Sequence, residues 1–161
     1  MGFDTTGSKA VSRPRDQYNY ALQALGGPAL SGLSRSDLQN PPARAAKARA
    51  GLPVTSARWL RDTGGVQRDD FYRLISRDEM ARAGKRVERR LSPNASERVI
   101  RIALVFGLAT EALGAQDRGA MFMRRPHMLL HDRRPVDQLD TETGARTVAT
   151  ILMRLMHGIP P

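Results

Sequence analysis

The chain has 161 residues, and its 26 lysines and arginines exceed its 16 acidic residues, which gives a formal net charge of +10. It contains no cysteine, which excludes a disulfide framework, zinc–thiolate sites and thiol catalysis. Because no apolar run approaches the roughly 20 residues of a membrane span and the first residues lack the apolar core of a secretory signal, we expect a cytoplasmic protein with no membrane contact.

Residues 1–42 are predicted to be an arm and linker, partly disordered. Residues 1–17 are polar and typical of a disordered arm. A short helix is predicted over 18–25, where apolar residues recur on one helical face. Residues 28–42 are rich in Pro, Gly, Ser and Asn, and this composition favours a linker.

Residues 43–91 have the layout of a helix-turn-helix bundle, with short helices separated by glycine turns and a basic third helix. Helices are predicted at 43–50, 53–63, 67–75 and 76–83. Ser76, followed three residues later by Glu79, forms a capping-box pattern at the start of the basic helix, and Gly84 is expected to interrupt that helix. The adjacent Asp69 and Asp70 are expected on a solvated face.

The basic helix carries the candidate DNA contacts, because lysine and arginine side chains neutralise phosphates. They are Arg77, Arg82, Lys85, Arg86, Arg89 and Arg90. Asp78 and Glu79 occupy the first turn, where a recognition helix meets base edges, and they count against sequence-specific binding. A structural bundle with a solvated basic face is the alternative interpretation, and weak binding to the DNA backbone, strengthened by dimerisation, is the intermediate one.

Residues 92–161 contain the longest and most apolar predicted helix. Ser92-Pro93 is a start signal for it, and apolar residues at three- and four-residue spacing continue to Leu113. Asp117 is predicted to cap a short helix, 127–134 a loop, and 135–139 one helical turn before a last helix. No segment alternates like a strand, so the fold class is all-α, with two units that share the long helix.

No residue pattern predicts catalysis or a cofactor. His127 and His131 are four residues apart, but they follow Pro126 in a predicted loop, so loop or packing histidines are expected rather than metal ligands. The chain has neither a phosphate-cradling glycine loop nor a nucleophile elbow. A binding protein is therefore favoured over an enzyme, with no cofactor and no metal.

The segment Arg134-Pro135-Val136-Asp137-Gln138-Leu139-Asp140-Thr141-Glu142-Thr143-Gly144-Ala145, followed by Val148, Leu152 and His157-Gly158-Ile159, resembles the toxin-binding domain of the Xre/MbcA/ParS antitoxins. Upstream, Gly51-Leu52-Pro53-Val54 and Leu91-Ser92-Pro93 with Ser96-Glu97-Arg98 are similar to the Xre-like part of that family. The likeness covers about residues 44–159. It implies a degenerate helix-turn-helix (Xre-like) bundle at 43–91, joined by a long connecting helix to a small helical toxin-binding domain within 92–161.

The motif residues of this resemblance are expected to be mainly architectural. Pro135 fixes the start of a turn, Asp137 bonds free amides of that turn, and Leu139 anchors it. Thr141 caps the last helix, and Gly144 allows close approach of a neighbouring helix. The loop 128–134 departs from the family because it is bulkier and more basic.

The resemblance implies an antitoxin of a type II toxin–antitoxin system that neutralises a RES-domain toxin, an NAD-consuming or ADP-ribosylating protein, by covering its active site with the C-terminal end. The candidate toxin contacts are Arg146, Arg154, Met156, His157, Gly158, Ile159, Pro160 and Pro161. The resemblance also implies repression of its own operon through promoter DNA. It further implies a homodimer, which the apolar surface of 93–113 favours too. The alternative is a stand-alone helical DNA-binding transcriptional regulator without a toxin partner.

Overall fold

Helices packed around one long central helix make up the fold. The computed structural model describes residues 16–160, and within that range it contains no strand, which confirms the all-α fold class. The helices are α1 (Gln17–Ala24), α2 (Gly27–Ser31), α3 (Arg35–Gln39), α4 (Pro41–Ala50), α5 (Val54–Thr63), α6 (Arg68–Leu74), α7 (Arg77–Lys85), α8 (Pro93–Leu113), α9 (Gln116–Arg124) and α10 (Glu142–Met156). Two short 3-10 helices, Met128–Leu130 and Pro135–Asp140, lie between α9 and α10.

The central helix α8 begins and ends where the sequence predicts. The Ser92 side chain accepts a hydrogen bond from the Ala95 amide, and Pro93 occupies the first helical turn. At the other end, Gly114 adopts a left-handed conformation with φ of 79°. Because α1, α4, α9 and α10 all pack against it, α8 is mostly buried.

Helix α1 confirms the short helix predicted at 18–25, and it lies directly on α8. A Cβ atom added at Gly107 of α8 would be 2.4 Å from the Gln17 carbonyl oxygen and 2.8 Å from the Ala21 nitrogen. The Gln17 amide also donates a hydrogen bond of 2.8 Å to Glu111. The apolar surface of α8 from which a dimer contact was predicted is thus covered in part within the chain, while homodimerisation itself stays a prediction.

The interpretation of residues 28–42 as a linker is wrong, because they form α2, α3 and the start of α4. The residue types that suggested a linker act as helix caps here: Ser34 and Asp37 form a reciprocal capping box, and Asn40 caps α4. Leu33 and Leu38 are buried in the core and hold these helices in place. Residues 1–15, part of the predicted arm, lie outside the described residues.

Helices α5, α6 and α7 match the predicted bundle, with two local differences. Helix α7 continues through Gly84 to Lys85 instead of breaking there. Ser76 caps α7 as expected, but the Glu79 side chain accepts its hydrogen bond from the Ser92 amide rather than returning to Ser76. Glu79 therefore joins the start of α7 to the start of α8.

The segment after α7 returns alongside the segment before α5. The Leu91 amide donates to the Leu52 carbonyl, and the Val54 amide donates to the Arg89 carbonyl, each at 2.9 Å. The Leu52 amide in turn donates to the buried hydroxyl of Ser96 in α8, at 2.8 Å. The division into units at 43–91 and 92–161 stays a prediction, and these bonds tie the two stretches together.

The C-terminal region also agrees with most of the predicted elements. The turn at 135–139 and the last helix are present, and the predicted loop contains the 3-10 helix Met128–Leu130. Asp117 does not cap α9: Ala115 is the capping position, and Asp117 lies in the first turn. Among the described residues, no single helix is long and apolar enough to cross a membrane; α8 and α9 meet that criterion only together, as a pair bent by 114°.

Candidate functional site

The second 3-10 helix, Pro135–Asp140, is pressed against the start of α10. The Thr141 side chain caps α10 by accepting from the Gly144 amide at 3.0 Å. A Cβ atom at Gly144 would lie 2.1 Å from the Gln138 carbonyl oxygen, so only glycine permits this approach. Pro135 and Leu139 are buried. The geometry thus agrees with the architectural roles expected of Pro135, Leu139, Thr141 and Gly144.

The expected role of Asp137 differs, because its carboxylate pairs with arginines rather than with free amides of the turn. Arg134 donates to Asp137 through Nε at 2.9 Å and Nη2 at 2.6 Å. The same Arg134 donates to Asp70 of α6 at 3.0 Å, and Arg73 pairs with both carboxylates. The hydrogen bond to Asp137, joined by the one to Asp70, raises the pKa of Arg134 above its ordinary value.

Asp70 was expected on a solvated face, and this expectation is wrong, since the residue is 3% exposed. Its Oδ1 atom accepts from both arginines, whereas Oδ2 is buried without a hydrogen-bond partner in the described structure. Because a buried carboxylate is stable only when it is paired, Asp70 fixes the second 3-10 helix against α6. Asp70, Arg73, Arg134 and Asp137 therefore link the predicted helix-turn-helix unit to the start of α10.

The C-terminal end of α10 has a defined turn. The Ile159 amide donates to the Arg154 carbonyl and the Gly158 amide to the Leu155 carbonyl, and Gly158 has φ of 64°. This is the glycine-centred Schellman arrangement, which closes the helix and sets the direction of the residues that follow. The chain thus leaves α10 along a path that Gly158 determines.

Apolar side chains are exposed around this end. Met153, Leu155 and Ile159 are 40%, 45% and 55% exposed, whereas Met156 is partly buried against the core. Arg154 is exposed, and its side chain forms no hydrogen bond or ion pair with the described part of the chain. The structure therefore combines exposed apolar surface with an available cation at the end of α10.

The predicted toxin contacts do not all lie at this end. Arg154, Met156, His157, Gly158, Ile159 and Pro160 lie together there, and Pro161 is outside the described residues. Arg146 is two turns earlier, about 12 Å along the helix from Arg154. It is 79% exposed and lies 3.7 Å from Glu142.

A groove of about 510 Å³ separates α10 from α4, with α8 as its floor. Arg146 lines this groove on α10, and Arg49 lines it on α4. No sequence pattern predicts this groove, because its walls come from two helices about 100 residues apart that both pack on α8. Sequence reasoning identified Arg146 but not the surface to which it belongs.

The six candidate DNA contacts lie on α7 and on the segment after it, and all six are exposed. Some of them also have structural partners. Arg77 stacks on the Tyr72 ring at 3.9 Å, Arg82 pairs with Glu79 at 3.5 Å, and Arg90 donates to the Gly51 carbonyl at 2.6 Å. Arg86 donates to the Arg90 carbonyl, so Lys85 and Arg89 are the cations of this set whose side chains form no hydrogen bond or ion pair with the described residues.

A second basic cluster, around Tyr72, was missed from the sequence. Arg61 donates to the Tyr72 hydroxyl at 2.7 Å and lies over its ring, on which Arg77 also stacks. Burial raises the pKa of Tyr72, but the hydrogen bond from Arg61 and the nearby charges of Arg61 and Arg68 outweigh it, so the net pKa is lowered. A tyrosine followed by arginine is a weak local signal, and only the packing of α5 on α6 completes the cluster.

The histidines have ordinary structural surroundings. His127 Nδ1 accepts from the Leu129 amide at 3.2 Å, and its ring contacts Phe122 with centroids 5.6 Å apart. Across residues 16–160, no group of three or more histidine, aspartate or glutamate side chains is arranged to hold a metal ion.

Comparison with known proteins assigns the C-terminal region. Residues 108–158 match the Xre/MbcA/ParS antitoxin C-terminal toxin-binding domain, a range that includes one wall of the groove and ends at Gly158 of the Schellman turn. The C-terminal third of the chain is thus similar to the toxin-binding domain of the Xre/MbcA/ParS antitoxins. The resemblance noted in the sequence is therefore confirmed.

Two curated relatives of this chain carry the name Antitoxin Xre. The protein from Photorhabdus laumondii subsp. laumondii is 29% identical over 113 residues, which cover 68% of this chain and 75% of that protein. The protein from Yersinia enterocolitica is 37% identical over 71 residues, which cover 44% of this chain and 48% of that protein. The chain thus aligns with about half the length of the Yersinia relative and three quarters of the Photorhabdus one.

Proposed function

We propose that this protein binds a RES-domain toxin and neutralises it by covering the toxin's active site with the C-terminal end of α10 and the tail after it. The observation that carries the proposal is the exposed apolar surface of Met153, Leu155 and Ile159 beside Arg154, within or next to the matched toxin-binding domain. Exposed apolar side chains that cluster at one end of a molecule mark an interaction site.

The tail suits this role because it is short and conformationally restricted. The Schellman turn sets its direction, and Pro160 and Pro161 limit the backbone freedom that ordering on a partner would remove. Arg154 and Arg146 supply cations for acidic groups on the toxin. An inhibitor with such a tail loses little conformational entropy when it enters a cleft.

Deletion of residues 157–161 tests the mechanism. Cells that express the RES-domain protein of the same operon should survive with the full chain and die with the deleted one. The melting temperature of the deleted chain should stay close to that of the full chain, because the removed residues 157–160 are exposed. Met121→Ala is the matched control, since Met121 on α9 is 41% exposed and apolar but lies outside the tail. Survival with the deleted chain would refute the mechanism.

A second proposed function is repression of the protein's own operon through α7 and the segment that follows it. The exposed cations there, above all Lys85 and Arg89, support contact with DNA phosphates, and a homodimer would double their number. A mobility shift with the operon promoter and with random DNA, repeated across salt concentrations, tests this function. Equal affinity for both DNAs would exclude specific repression, and weaker binding by a Lys85→Ala/Arg89→Ala variant is expected.

A stand-alone DNA-binding regulator is the competing function, and the matched toxin-binding domain argues against it. The reading frame next to this gene discriminates between the two. A RES-domain protein encoded there supports the antitoxin function, whereas its absence together with specific promoter binding supports the regulator.

A further inference from the structure

The groove between α4, α8 and α10 joins the toxin-binding domain to a part of the chain outside it. Its α10 wall, which includes Ala145, Arg146 and Ala149, lies within the matched residues 108–158. Its α4 wall, which includes Ala45 and Arg49, lies outside that match. The groove is therefore continuous with the toxin-binding domain but extends beyond it.

The floor and both walls of the groove are apolar. Ile100, Leu104 and Val105 of α8 form the floor, and alanines of α4 and α10 form the walls between them. Because the alanine side chains are short, the groove has room for larger apolar side chains from a partner. A cleft of a few hundred cubic ångströms with such a lining is typical of sites that receive apolar groups.

The rim of the groove carries more positive than negative charge. Its arginines are Arg44, Arg49, Arg101 and Arg146, against Glu97 and Glu142. Arg101 is used within the fold: it pairs with both glutamates and donates to the carbonyls of Leu139 and Asp140. Arg44 donates to the Leu38 carbonyl at 2.7 Å.

Two cations of the rim are available to a partner. The Arg49 side chain on the α4 wall forms no hydrogen bond or ion pair with the described residues. The Arg146 side chain on the α10 wall is 79% exposed, and it lies 3.7 Å from Glu142. One available arginine therefore stands on each side of an apolar floor.

We propose that this groove docks an acidic amphipathic segment of the toxin, with apolar side chains on the α8 floor and carboxylates at Arg49 and Arg146. The inference rests on the proposed antitoxin function and adds a second contact, separate from the tail. A segment with apolar residues on one face is the usual occupant of a groove between helices. Carboxylates complement the rim, and guanidinium groups bind them in pairs of hydrogen bonds.

Other occupants fit the groove less well. A second copy of the chain also carries a net charge of +10, so like-charge repulsion opposes its docking on a basic rim. Nucleic acid would satisfy the arginines but would leave the apolar floor without apolar partners. The toxin is the occupant that the continuity with the matched domain favours.

Neighbouring alanines on α4 provide a matched test. Ala45 lines the groove and Ala46 does not, yet both are exposed on the same helix. Ala45→Glu places bulk and negative charge in the groove, whereas Ala46→Glu adds the same group outside it. Calorimetric titration of the full chain with a catalytically inactive form of the operon's RES-domain protein should give roughly tenfold weaker binding for Ala45→Glu. Ala46→Glu should bind like the unsubstituted chain, and both variants should melt alike.

A separate variant tests the contribution of charge to toxin binding in the groove. Arg49→Glu should also weaken binding, and the difference from the unsubstituted chain should shrink as salt is raised, because exposed charges are screened. An Arg49→Glu variant that binds as tightly as the unsubstituted chain at low salt would contradict the assignment of Arg49 to a carboxylate.

The deletion of residues 157–161, assayed for neutralisation in cells alongside the titrations, separates this inference from the proposed function. If the deletion abolishes neutralisation while Ala45→Glu and Ala46→Glu bind equally, the groove proposal is wrong and the antitoxin function stands. If the unsubstituted chain does not bind the RES-domain protein, both are wrong. If Ala45→Glu alone dissociates a dimer in sedimentation and leaves toxin affinity unchanged, the occupant is a second copy and the toxin proposal is overturned.

Discussion

Arg134 is a single residue that holds two parts of the chain together. Its guanidinium donates twice to Asp137 beside it and once to Asp70, which is 64 positions away. Because Asp70 is buried and one of its oxygens already lacks a partner, the carboxylate depends on Arg134 and Arg73 for compensation. Removal of one partner from such a group leaves a buried charge incompletely paired.

Arg134→Ala is expected to lower the free energy of unfolding by about 2 kcal/mol, since a buried charge pair loses one partner but Arg73 remains. Urea denaturation measures the change. Arg133→Ala is the control, because Arg133 is the exposed neighbour and its side chain has no bond within the described residues. Equal stability of the two variants would show that Asp70 does not need Arg134.

Glu79 makes a second link of this kind, between α7 and α8. Burial raises its pKa, but the hydrogen bonds from Ser92 and the charges of Arg82 and Arg86 outweigh burial, and the net pKa lies below the ordinary value of 4.5. A carboxylate with a lowered folded pKa stabilises the fold fully above its unfolded pKa. That stabilisation is lost as the pH falls through the folded pKa.

Glu79→Gln should therefore destabilise the protein at pH 7 by about 1 kcal/mol, through loss of a charge-assisted hydrogen bond. The difference from the unsubstituted chain should decrease as the pH is lowered below 4.5. Urea denaturation at pH 7 and at pH 3.5 measures both values. Glu88→Gln is the control at pH 7 and should leave the stability unchanged, because the Glu88 side chain is exposed and forms no hydrogen bond or ion pair with the described residues.

At the scale of elements, the sequence predicts those helices whose start, end and apolar spacing are local. Helix α8 has Ser92-Pro93, Gly114 and a long periodic stripe, and α10 has Thr141 and Gly158. Helices α2 and α3 have five residues each, which is too short to show a helical period, so their caps suggested a linker. These helices are held in place by the burial of Leu33 and Leu38 in the core, and no local sequence pattern predicts that burial.

The features of the candidate site also fall into those that local sequence patterns predict and those that they do not. The cap, the close approach at Gly144 and the tail could be predicted, because each depends on residues close in sequence. The burial of Asp70 and the groove beside Arg146 could not, since both require contacts between residues 60 to 100 positions apart. The burial of Asp70 and the shape of the groove therefore depend on long-range packing, which no local sequence pattern predicts.

The contact of α1 with α8 leads to a prediction at this scale. Gly107→Ala would place a Cβ atom 2.4 Å from the Gln17 carbonyl oxygen, so α1 must shift, and we expect a loss of about 2 kcal/mol in the free energy of unfolding. Gly84→Ala is the control within α7, where the nearest atom to the added Cβ is the flexible Arg58 guanidinium at 3.3 Å. Helix propensity predicts that Gly84→Ala is stabilising by about 0.5 kcal/mol. Thermal and urea unfolding should give opposite signs for the two.

The end of α10 leads to another prediction. Gly158 has φ of 64° with nothing within 4 Å of an added Cβ, so Gly158→Ala is disfavoured by conformation alone, by about 1 kcal/mol. If the tail direction is used for toxin binding, Gly158→Ala should weaken toxin affinity roughly fivefold to tenfold. The melting temperature should stay close to that of the unsubstituted chain, because the exposed turn can open locally without unfolding the core. Gly158→Asn should lose less, because asparagine tolerates the left-handed region. If the unsubstituted chain, Gly158→Ala and Gly158→Asn all bind the toxin with the same affinity, the turn has no role in toxin binding.

At the scale of the whole molecule, the two predicted units share one core. Buried residues from Leu25 directly after α1, Phe71 in α6, Ile102 in α8 and Leu152 in α10 belong to a single hydrophobic cluster. The Arg134–Asp70 pair and the Glu79–Ser92 bond add polar links between the same stretches. Structural units that share a core and a central helix are expected to unfold together.

We therefore expect residues 16–160 to unfold in one cooperative transition, with a calorimetric enthalpy equal to the van't Hoff enthalpy. Gly107→Ala gives a stricter test, because it perturbs the α1–α8 contact, far along the sequence from α6 and from the end of α10. If the core is shared, the slowest-exchanging amides of α5, α8 and α10 should all lose protection by the same free energy in this variant. Two resolved transitions, or lost protection confined to α1, would show that 43–91 and 92–161 unfold independently. In that case the pair of Arg134 with Asp70 would be a contact between two folding units rather than part of one.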